Sequence, residues 1–518
     1  MHLDVAFSTL FDLLTTPRLL FLMVIAVPMG VFFGSTPGLG GKLGLVLLIP
    51  FVYNMDQLTG AVFLCAMHAV VHTGGSIPSI LIGVPGDGPA AATALDGFAM
   101  TRKGQAGRAL GASFGASTAG GLLGAMFLGL SLPILEPIIL NFSPAEFFLL
   151  AILGITFIAT LSGDSFIKGM IVGLFGLMCA FIGLDPSTGS PRFTFGQIWL
   201  WDGLSVIVAV LSMFAVPEMI SLGVKGRSFD VSAETKAKLH DTGTAPPETA
   251  VSRKVTYAQI FEGMWDVVEH KWLVLRCSLL VAAIGVIPGL GGDAAAWMAY
   301  GHTVQSSKHP ERFGKGEVAG VIGAETGSCA KEAGSLLPTL FFGVPGSSGM
   351  AIMLGAFLML GIQPGPAMLT DHINIVWSLI WALVIANIFC VFMLIAAGPW
   401  IGKLGSTKAS FLIPYVLLFA LLGCFLFGGL WQNLLLVMVM GSLGYLFKRH
   451  DWPRAPFIIG VILGKIAEDS LQKALALFGA NFFLRPISLI LIALIIGSIG
   501  FYLWRQRHPN KVSVPSHA

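Results

Sequence analysis

Apolar stretches alternate with short polar segments along the whole chain. Eight of these stretches stay predominantly apolar over about the 20 residues that the hydrocarbon core of a bilayer requires. They span residues 19–33, 145–160, 166–184, 204–222, 272–287, 375–397, 411–430 and 487–504. Shorter apolar runs, broken by Gly or Pro, lie between them. The pattern predicts an all-α polytopic membrane protein with about twelve membrane-embedded helices, within a range of roughly ten to fourteen.

The composition agrees with a protein that lies mostly in lipid. Hydrophobic residues make up 55% of the 518 residues and charged residues only 11%, whereas about a quarter of the residues of a soluble domain are charged. So few charges cannot cover the surface of a soluble protein of this size. The net charge of +3 is too small to indicate a nucleic-acid partner. The lipid bilayer is therefore the expected environment, and we expect no nucleic acid to bind.

Lys and Arg are concentrated in five polar segments, which the positive-inside rule places on the cytoplasmic side. These segments are residues 102–108, 225–276, 308–315, 448–454 and 505–511. The longest polar stretch predicts a division into a first membrane repeat (1–222), a cytoplasmic linker (223–270), and a second membrane repeat with a cytoplasmic C-terminal tail (271–518). Residues 1–18 hold no small-residue cleavage site, so the first apolar run is expected to remain a membrane helix.

Two short blocks occur once in each half and in the same order. The sequence Pro-Gly-Leu-Gly-Gly stands at 37–41 and again at 288–292. Further along, residues 75–86 resemble residues 334–346, and both blocks end in Gly-Val-Pro-Gly. Two matched blocks in one order predict two homologous repeats. The first half starts from a weakly charged N-terminus and the second from a basic linker, which favours inverted repeats.

The repeated blocks predict broken helices and re-entrant hairpins. Pro lacks an amide N–H and Gly adopts positive φ, so both blocks end or break a helix. In lipid such a break survives only when it is buried or lines an aqueous cavity, because unpaired backbone groups cost several kcal/mol there. Free N–H groups at a half-helix N-terminus attract an anion, and free C=O groups at a C-terminus attract a cation. Matching breaks in two halves are typical of secondary transporters, whose site lies near the midplane.

Further blocks extend the pattern over nearly the whole chain. They lie at residues 34–40, 55–56, 74–78, 91–98, 103–110, 185–186, 192–196, 310–316, 338–340, 354–357 and 361–366. Together they resemble the large membrane subunit of tripartite tricarboxylate transporters, the TctA family. The resemblance implies a substrate-translocating subunit in the bacterial cytoplasmic (inner) membrane, and not an enzyme. It also implies a small membrane subunit and a periplasmic solute-binding protein as partners.

The resemblance further implies import of a small carboxylate, tricarboxylate-like or dicarboxylate. Transport would be symport, with Na⁺ or H⁺ as the coupling ion and no other cofactor. The chain departs from the family's pattern beside the expected site, at Gly83, at Asp87 and at the pair Lys331-Glu332. The fold and the transport role carry over despite these differences, whereas the identity of the substrate does not. A channel or carrier for a non-carboxylate solute is the alternative.

The candidate substrate-binding residues belong to the repeated blocks and to the departures from the family's pattern. They are Thr36, Pro37, Gly38, Gly40, Ser76, Gly83, Pro85, Gly86, Pro288, Gly289, Gly291, Lys331, Gly343, Pro345, Gly346 and Ser347. Asp87, Gly41 and Gly292 are the candidates for binding the coupling cation. Asp87 is expected either to bind a cation or to cap a helix at the mouth of the site. Lys331 either contacts a substrate carboxylate or pairs locally with Glu332.

Four other polar residues receive structural interpretations. Asp96 precedes a glycine and a basic loop, which predicts a helix cap at the membrane interface, and Asp56 presents the same choice between a site and a cap. His68 and His72 are four positions apart and so lie on one helical face, a spacing that suits two zinc ligands. The sequence shows no third ligand beside them. Polar packing or cavity lining is therefore expected of the two histidines, and a metal site is not.

Overall fold

The structure, a computed structural model, describes residues 3–36, 40–158, 166–185, 188–224, 255–287, 292, 294–404, 418, 421–422, 424–425 and 430–507. Most of these residues lie in helices. Strands β1 (Gly183–Leu184) and β2 (Pro191–Arg192) pair antiparallel and form the sheet of the described part of the chain. The prediction of an all-α fold is confirmed.

Helices α1 to α10 precede the linker. They are α1 (Leu3–Thr15), α2 (Pro17–Ser35), α3 (Gly40–Val52), α4 (Gln57–Ile82), α5 (Ala90–Arg102), α6 (Ala106–Ile139), α7 (Pro144–Ile158), α8 (Phe166–Ala180), α9 (Val206–Val210) and α10 (Val216–Val224). Residues Leu211–Ala215 form a π-helical turn between α9 and α10. The local sequence explains where two of these helices begin. Pro17 is the first residue of α2, and Asp56 caps α4 by accepting the N–H of Thr59 at 2.9 Å.

Helices α11 to α19 follow. They are α11 (Tyr257–Glu269), α12 (Lys271–Gly285), α13 (Ala294–Ser306), α14 (Val318–Phe342), α15 (Ser348–Met359), α16 (Ile373–Leu404), α17 (Gln432–Arg449), α18 (Ala455–Phe478) and α19 (Pro486–Arg507). Helix α11 lies within the predicted linker and packs against α6. Arg108 of α6 donates from Nε and Nη2 to the Asp266 carboxylate of α11, at 2.6 and 2.8 Å.

Four helices in the described residues are long and apolar enough to cross a membrane. They are α2, α4, α6 and the stretch Ile373–Gly398 of α16. The segments Ala455–Leu484 and Pro486–Gly497 meet at a bend of 69° and together would make a fifth span. Several apolar helices thus agree with a membrane protein. The expected number of about twelve spans is not confirmed, and the inverted orientation of the halves stays a prediction.

The Pro-Gly-Leu-Gly-Gly blocks interrupt the helices, as predicted. In the first half α2 ends at Ser35 and α3 begins at Gly40, which has a φ of 65°. In the second half α12 ends at Gly285 and α13 begins at Ala294. The first residues of both blocks, 37–39 and 288–291, lie outside the described residues.

The Gly-Val-Pro-Gly blocks end the next long helix of each half in the same way. Gly83 closes α4 and Gly343 closes α14, with φ of 71° and 66° in the left-handed region that glycine tolerates. The carbonyl of Pro78 accepts the N–H of Val84, and the second half repeats this bond between Pro338 and the residue after Gly343. The chain then turns back along the helix that it has just left.

The hairpin tips return to the level of the helix breaks. The N–H of Gly86 donates to the carbonyl of Gly75 at 3.1 Å, and a side chain at Gly86 would overlap the carbonyl oxygen of Gly34. Its counterpart Gly346 also packs closely, since a side chain there would lie 2.8 Å from Ser335 and 2.9 Å from the carbonyl oxygen of Gly285. Both tips therefore lie against the end of the broken helix of their own half.

Four short helices begin near the helix breaks and hairpin tips, whereas two long helices extend past them. Helices α3, α5 and α13 have 13 residues and α15 has 12, which makes each about 20 Å long and too short for a hydrocarbon core of about 30 Å. Helices α4 and α14 have 26 and 25 residues and are buried along most of their length. Helix α6 packs on α14 and α16 packs on α4, so the halves interlock around these two helices.

Candidate functional site

A cavity of about 200 Å³ lies where the two halves meet. From the first half it is lined by residues 40–43, His68, Val71, His72, 87–89 and Phe214; from the second it is lined by Gly292, Lys331, Glu332, 347–349 and Arg454. The lining thus combines one Pro-Gly-Leu-Gly-Gly block and one hairpin tip from each half. The convergence of these four blocks was expected from the sequence.

Four short helices begin at this cavity. Helix α3 starts at Gly40, α5 follows Pro89, α13 follows the segment of Gly292, and α15 starts at Ser348. Ser347 caps α15, since its hydroxyl accepts the N–H of Met350 at 3.1 Å. The first N–H groups of a helix have no partner within the helix, and the helix dipole places positive charge there. The backbone of the cavity is therefore suited to an anion.

A buried cluster of ionisable side chains forms one wall of the cavity. His72 of α4 contacts the Asp87 carboxylate through Nδ1, and its Nε2 lies 2.7 Å from Oε1 of Glu332. Lys331 donates from Nζ to the same Glu332 oxygen at 2.7 Å. All four side chains are at most 8% exposed. The cluster joins α4, the first tip and α14, so the His72 imidazole contacts a carboxylate 260 positions further along the chain.

Asp87 is held in place by its own helix and by a glycine. Its Oδ1 accepts the N–H of Ala90 at 3.3 Å, so the carboxylate caps the first turn of α5. A side chain at Gly75 would overlap this carboxylate, and only glycine lets Asp87 reach His72. Asp87 is thus a helix cap, as one of the two predictions had it, but it lies buried against the cluster.

His68 lies one helical turn before His72 and faces the same cavity. Its Nε2 is 3.0 Å from Oε2 of Glu332, yet neither atom makes a hydrogen bond within the described part of the protein. A side chain at Gly349 of α15 would lie 2.8 Å from this ring nitrogen. Glu332 completes a set of three groups whose ligand atoms lie within 4.8 Å of one another. The fold therefore supplies the third candidate metal ligand that the sequence did not reveal.

The sequence model of the tripartite tricarboxylate transporter TctA family matches residues 20–459. The chain belongs to this family. An uncharacterised 52.8 kDa protein in the TAR-I ttuC' 3' region of Agrobacterium vitis is 30% identical over 487 residues, which is 93% of each chain. An uncharacterised protein in the TAR-II ttuC' 3' region of the same organism is 32% identical over 215 residues, 41% of this chain and 88% of that one. No solved structure matches the chain. As a TctA-family protein, it is a membrane component of a tripartite transporter.

Six of the predicted site residues of this TctA-family protein line the cavity. They are Gly40, Gly41, Asp87, Gly292, Lys331 and Ser347. Five others, Pro37, Gly38, Pro288, Gly289 and Gly291, lie outside the described residues. The structure thus brings together Lys331 of α14 and predicted residues that follow each helix break or tip.

The remaining predicted residues shape the surrounding backbone. Gly83 and Gly343 close their helices, and the tips Pro85-Gly86 and Pro345-Gly346 pack on the helix ends. The Thr36 hydroxyl donates to the carbonyl of Phe32 at 2.8 Å. The Ser76 hydroxyl donates to the Thr73 carbonyl and lies 2.7 Å from the Ser113 hydroxyl. None of these eight belongs to the residues that line the 200 Å³ cavity.

Asp96 has a different role from the one expected. It is fully buried, and its Oδ1 accepts the N–H groups of Gly316 and Glu317 at 2.8 and 2.9 Å. Its Oδ2 accepts the hydroxyl of Tyr300 at 2.9 Å. The carboxylate therefore caps the start of α14 in the other half and does not cap its own helix at an interface. Sequence reasoning missed this because the two helices are about 220 residues apart.

Sequence reasoning also missed several polar residues around the site. Lys42 and Arg454 line the cavity, but each follows a helix break or a basic loop, where a cation is common. Glu325 of α14 is fully buried and accepts hydroxyl hydrogen bonds from Thr93 and Ser117. A charged residue inside an apolar helix was the available signal. A second, larger cavity of about 860 Å³ shares no lining residue with the first.

Proposed function

We propose that this chain is the substrate-translocating subunit of a binding-protein-dependent secondary transporter that imports a small carboxylate into bacteria. The carboxylate is tricarboxylate-like or a dicarboxylate, and Na⁺ or H⁺ is the coupling ion. The observation that carries the proposal is the cavity between the halves, where four helix N-termini meet three cationic side chains. Membership of a tripartite transporter family supports the role of a translocating subunit.

The charge of the cavity favours an anionic substrate. Lys42, Lys331 and Arg454 contribute three positive charges, while Asp87 and Glu332 contribute two negative ones. With neutral histidines the lining side chains carry a net charge of +1, and the helix dipoles add positive potential. Low dielectric around the buried groups strengthens these interactions relative to those in water. A carboxylate would therefore be attracted into the cavity, whereas an uncharged solute would gain little.

The size of the cavity favours a small substrate. Its volume of about 200 Å³ lies below the ~300–1,000 Å³ of sites for drug-sized ligands. Backbone carbonyls at the ends of α2 and α12, together with Asp87, are the groups that suit a coupling cation. The two tips that close these helix ends would have to move as the site alternates between the two sides of the membrane.

The partners follow from the family description. A tripartite system has two further components, and we assign them as a small membrane subunit and a periplasmic solute-binding protein. The binding protein would deliver the carboxylate to the cavity from the periplasmic side of the inner membrane. This chain would supply the translocation path.

Uptake into proteoliposomes tests the proposal. Vesicles containing this chain and its small partner would receive labelled di- and tricarboxylates, with or without the binding protein, under imposed Na⁺ or proton gradients. We expect gradient-driven accumulation that requires the binding protein and falls at least tenfold in Lys331→Gln. Lys308→Gln, at an exposed position, is the matched control and should transport normally. Correctly inserted protein that accumulates no carboxylate, or that passes ionic currents far above carrier turnover, would overturn the proposal.

A further inference from the structure

We propose that the cavity binds a divalent transition-metal ion of the zinc class. The ligands are Nε2 of His68, Nε2 of His72 and the carboxylate of Glu332, and the fourth coordination position faces the cavity. The metal site stands on its own geometry. Occupation of the fourth position by a carboxylate oxygen of the transported substrate rests on the proposed function.

Two of the three ligand pairs are close to the separation that zinc requires. Nε2 of His68 lies 3.0 Å from Oε2 of Glu332, and Nε2 of His72 lies 2.7 Å from Oε1. Zinc binds nitrogen and oxygen at about 2.0–2.2 Å in tetrahedral sites, which places ligand atoms about 3.3 Å apart. The two pairs would therefore have to open by about 0.3 and 0.6 Å, and the atoms of all three ligands lie within 4.8 Å of one another. Two imidazoles and one carboxylate, with one open position, are a donor set that zinc uses.

The second nitrogen of His72 is already held as a metal-binding imidazole requires. Nδ1 contacts the Asp87 carboxylate, and Nε2 donates to Oε1 of Glu332 at 2.7 Å. Metal binding would release the Nε2 proton, while a proton on Nδ1 stays with Asp87. Asp87 is in turn fixed by the N–H of Ala90. A carboxylate that orients the distal nitrogen of a histidine is the usual arrangement around metal-binding imidazoles.

Three buried polar atoms at the site lack a well-formed hydrogen bond, although two of them, His68 Nε2 and Glu332 Oε2, lie 3.0 Å apart. His68 is 4% exposed and Glu332 is 2% exposed, yet both ring nitrogens of His68 and Oε2 of Glu332 make no hydrogen bond in the described part of the protein. Buried polar atoms in proteins nearly always have partners. A metal ion would satisfy His68 Nε2 and Glu332 Oε2 together, while Lys331 keeps its hydrogen bond to Oε1.

A bound metal would also strengthen anion binding. A divalent ion changes the net charge of the lining side chains from +1 to +3, counting the same three cations and two carboxylates. The three ligand residues and the residues at the helix N-termini line the same cavity, so an open coordination position would face it. A carboxylate could therefore bind the metal with one oxygen and backbone N–H groups with others.

Direct metal binding to the purified full-length chain in detergent tests the inference. Zn²⁺ would be titrated against a chromogenic chelator, and Co²⁺ would serve as the spectroscopic probe of a low-coordinate site. We expect one ion per chain and a loss of affinity of at least 100-fold in His68→Gln. His309→Gln, at an exposed histidine, is the matched control and should bind normally. Asp87→Asn should keep the stoichiometry and weaken affinity by about 10–100-fold, because it removes the orienting carboxylate.

Gly349→Ala provides a variant that changes none of the ligand side chains themselves. Its methyl group would lie 2.8 Å from Nε2 of His68 and should displace the ring and weaken zinc binding. Zn²⁺ should raise the melting temperature of the wild type, because an ion that binds only the folded protein stabilises it. It should not raise the melting temperature of His68→Gln, which lacks one ligand. No stoichiometric binding to the wild type, or equal binding by His68→Gln and His309→Gln, would overturn the metal site. Zinc binding without any carboxylate uptake would instead refute the proposed function alone.

Discussion

Replacing Gly86 by alanine tests whether the first hairpin tip is fixed against the broken helix. A methyl group at Gly86 would lie 2.8 Å from Cα and 3.0 Å from the carbonyl oxygen of Gly75, and would overlap the carbonyl oxygen of Gly34. All three atoms belong to the backbone, so no side chain can rotate away. Gly86 does not have a positive φ, so the effect of the substitution is steric.

The expected magnitude follows from these distances. Carbon atoms pack at about 3.5–4.0 Å, so the tip must separate from α4 by about 0.7 Å or more. Overpacking of this kind costs about 1–3 kcal/mol. If the cost falls on the docked tip, the equilibrium between docked and released tip shifts by about 5–150-fold. Release would withdraw Asp87, the next residue, from His72.

Amide hydrogen exchange measures this shift directly. The N–H at position 86 donates to Gly75 in the docked state, so exchange over residues 83–89 should accelerate about 5–150-fold in Gly86→Ala. Gly301→Ala is the control, because a methyl group there meets no atom within 4 Å. Unchanged exchange in Gly86→Ala would show that the tip accommodates a side chain and would refute the reasoning. Gly346→Ala, against Ser335 and Gly285, should act likewise in the second half.

Three further changes test other parts of the structure through melting in detergent. Arg108→Lys breaks a two-point hydrogen bond to Asp266 and should lower the free energy of unfolding by about 1 kcal/mol. An unchanged melting temperature would contradict this prediction. Glu325→Leu leaves buried hydroxyls unpaired and should lower the free energy of unfolding by about 1–3 kcal/mol, whereas Glu325→Gln should not. Equal losses of stability in the two variants would contradict this prediction. Asp56→Ala removes the cap of α4 and should cost about 1 kcal/mol at neutral pH. Burial raises the pKa of Asp56, but hydrogen bonds from Thr59 outweigh this effect and hold the pKa below its ordinary 3.8. The stability lost in Asp56→Ala should therefore disappear only as the pH falls through this lowered pKa.

The interruptions of the helices were predictable because Pro and Gly act on their own backbone. The sequence alone indicated that α2 and α12 stop before the Pro-Gly-Leu-Gly-Gly blocks, and that glycine closes α4 and α14. The number of spans was not predictable in the same way. Helices α3 and α15 are apolar but only 13 and 12 residues long, so a hydropathy pattern cannot distinguish them from parts of a full span.

The site was predictable only where the signal is local. Asp87 and Lys331 stood out because an ionisable group within an apolar segment is costly, and the spacing of His68 and His72 placed both on one helical face. Nothing in the sequence places Glu332 beside those histidines, because it follows His72 by 260 positions. The same separation concealed the contact of Asp96 with the start of α14. Packing between the halves brings both Glu332 and Asp96 to their contacts, and this packing is not visible in the sequence.

The buried charges at the junction of the halves form one interdependent unit. Asp87 comes from the first half and Lys331-Glu332 from the second; Asp87 and Glu332 both contact His72, and Lys331 contacts Glu332. A buried carboxylate without a partner is strongly destabilising, whereas a fully paired one is tolerated. Each of these charges therefore requires the others, together with a glycine at position 75 that lets Asp87 approach. His68, His72 and the Glu332 carboxylate face the cavity at the junction of the halves. The geometry of these three groups therefore depends on the conformations of both halves.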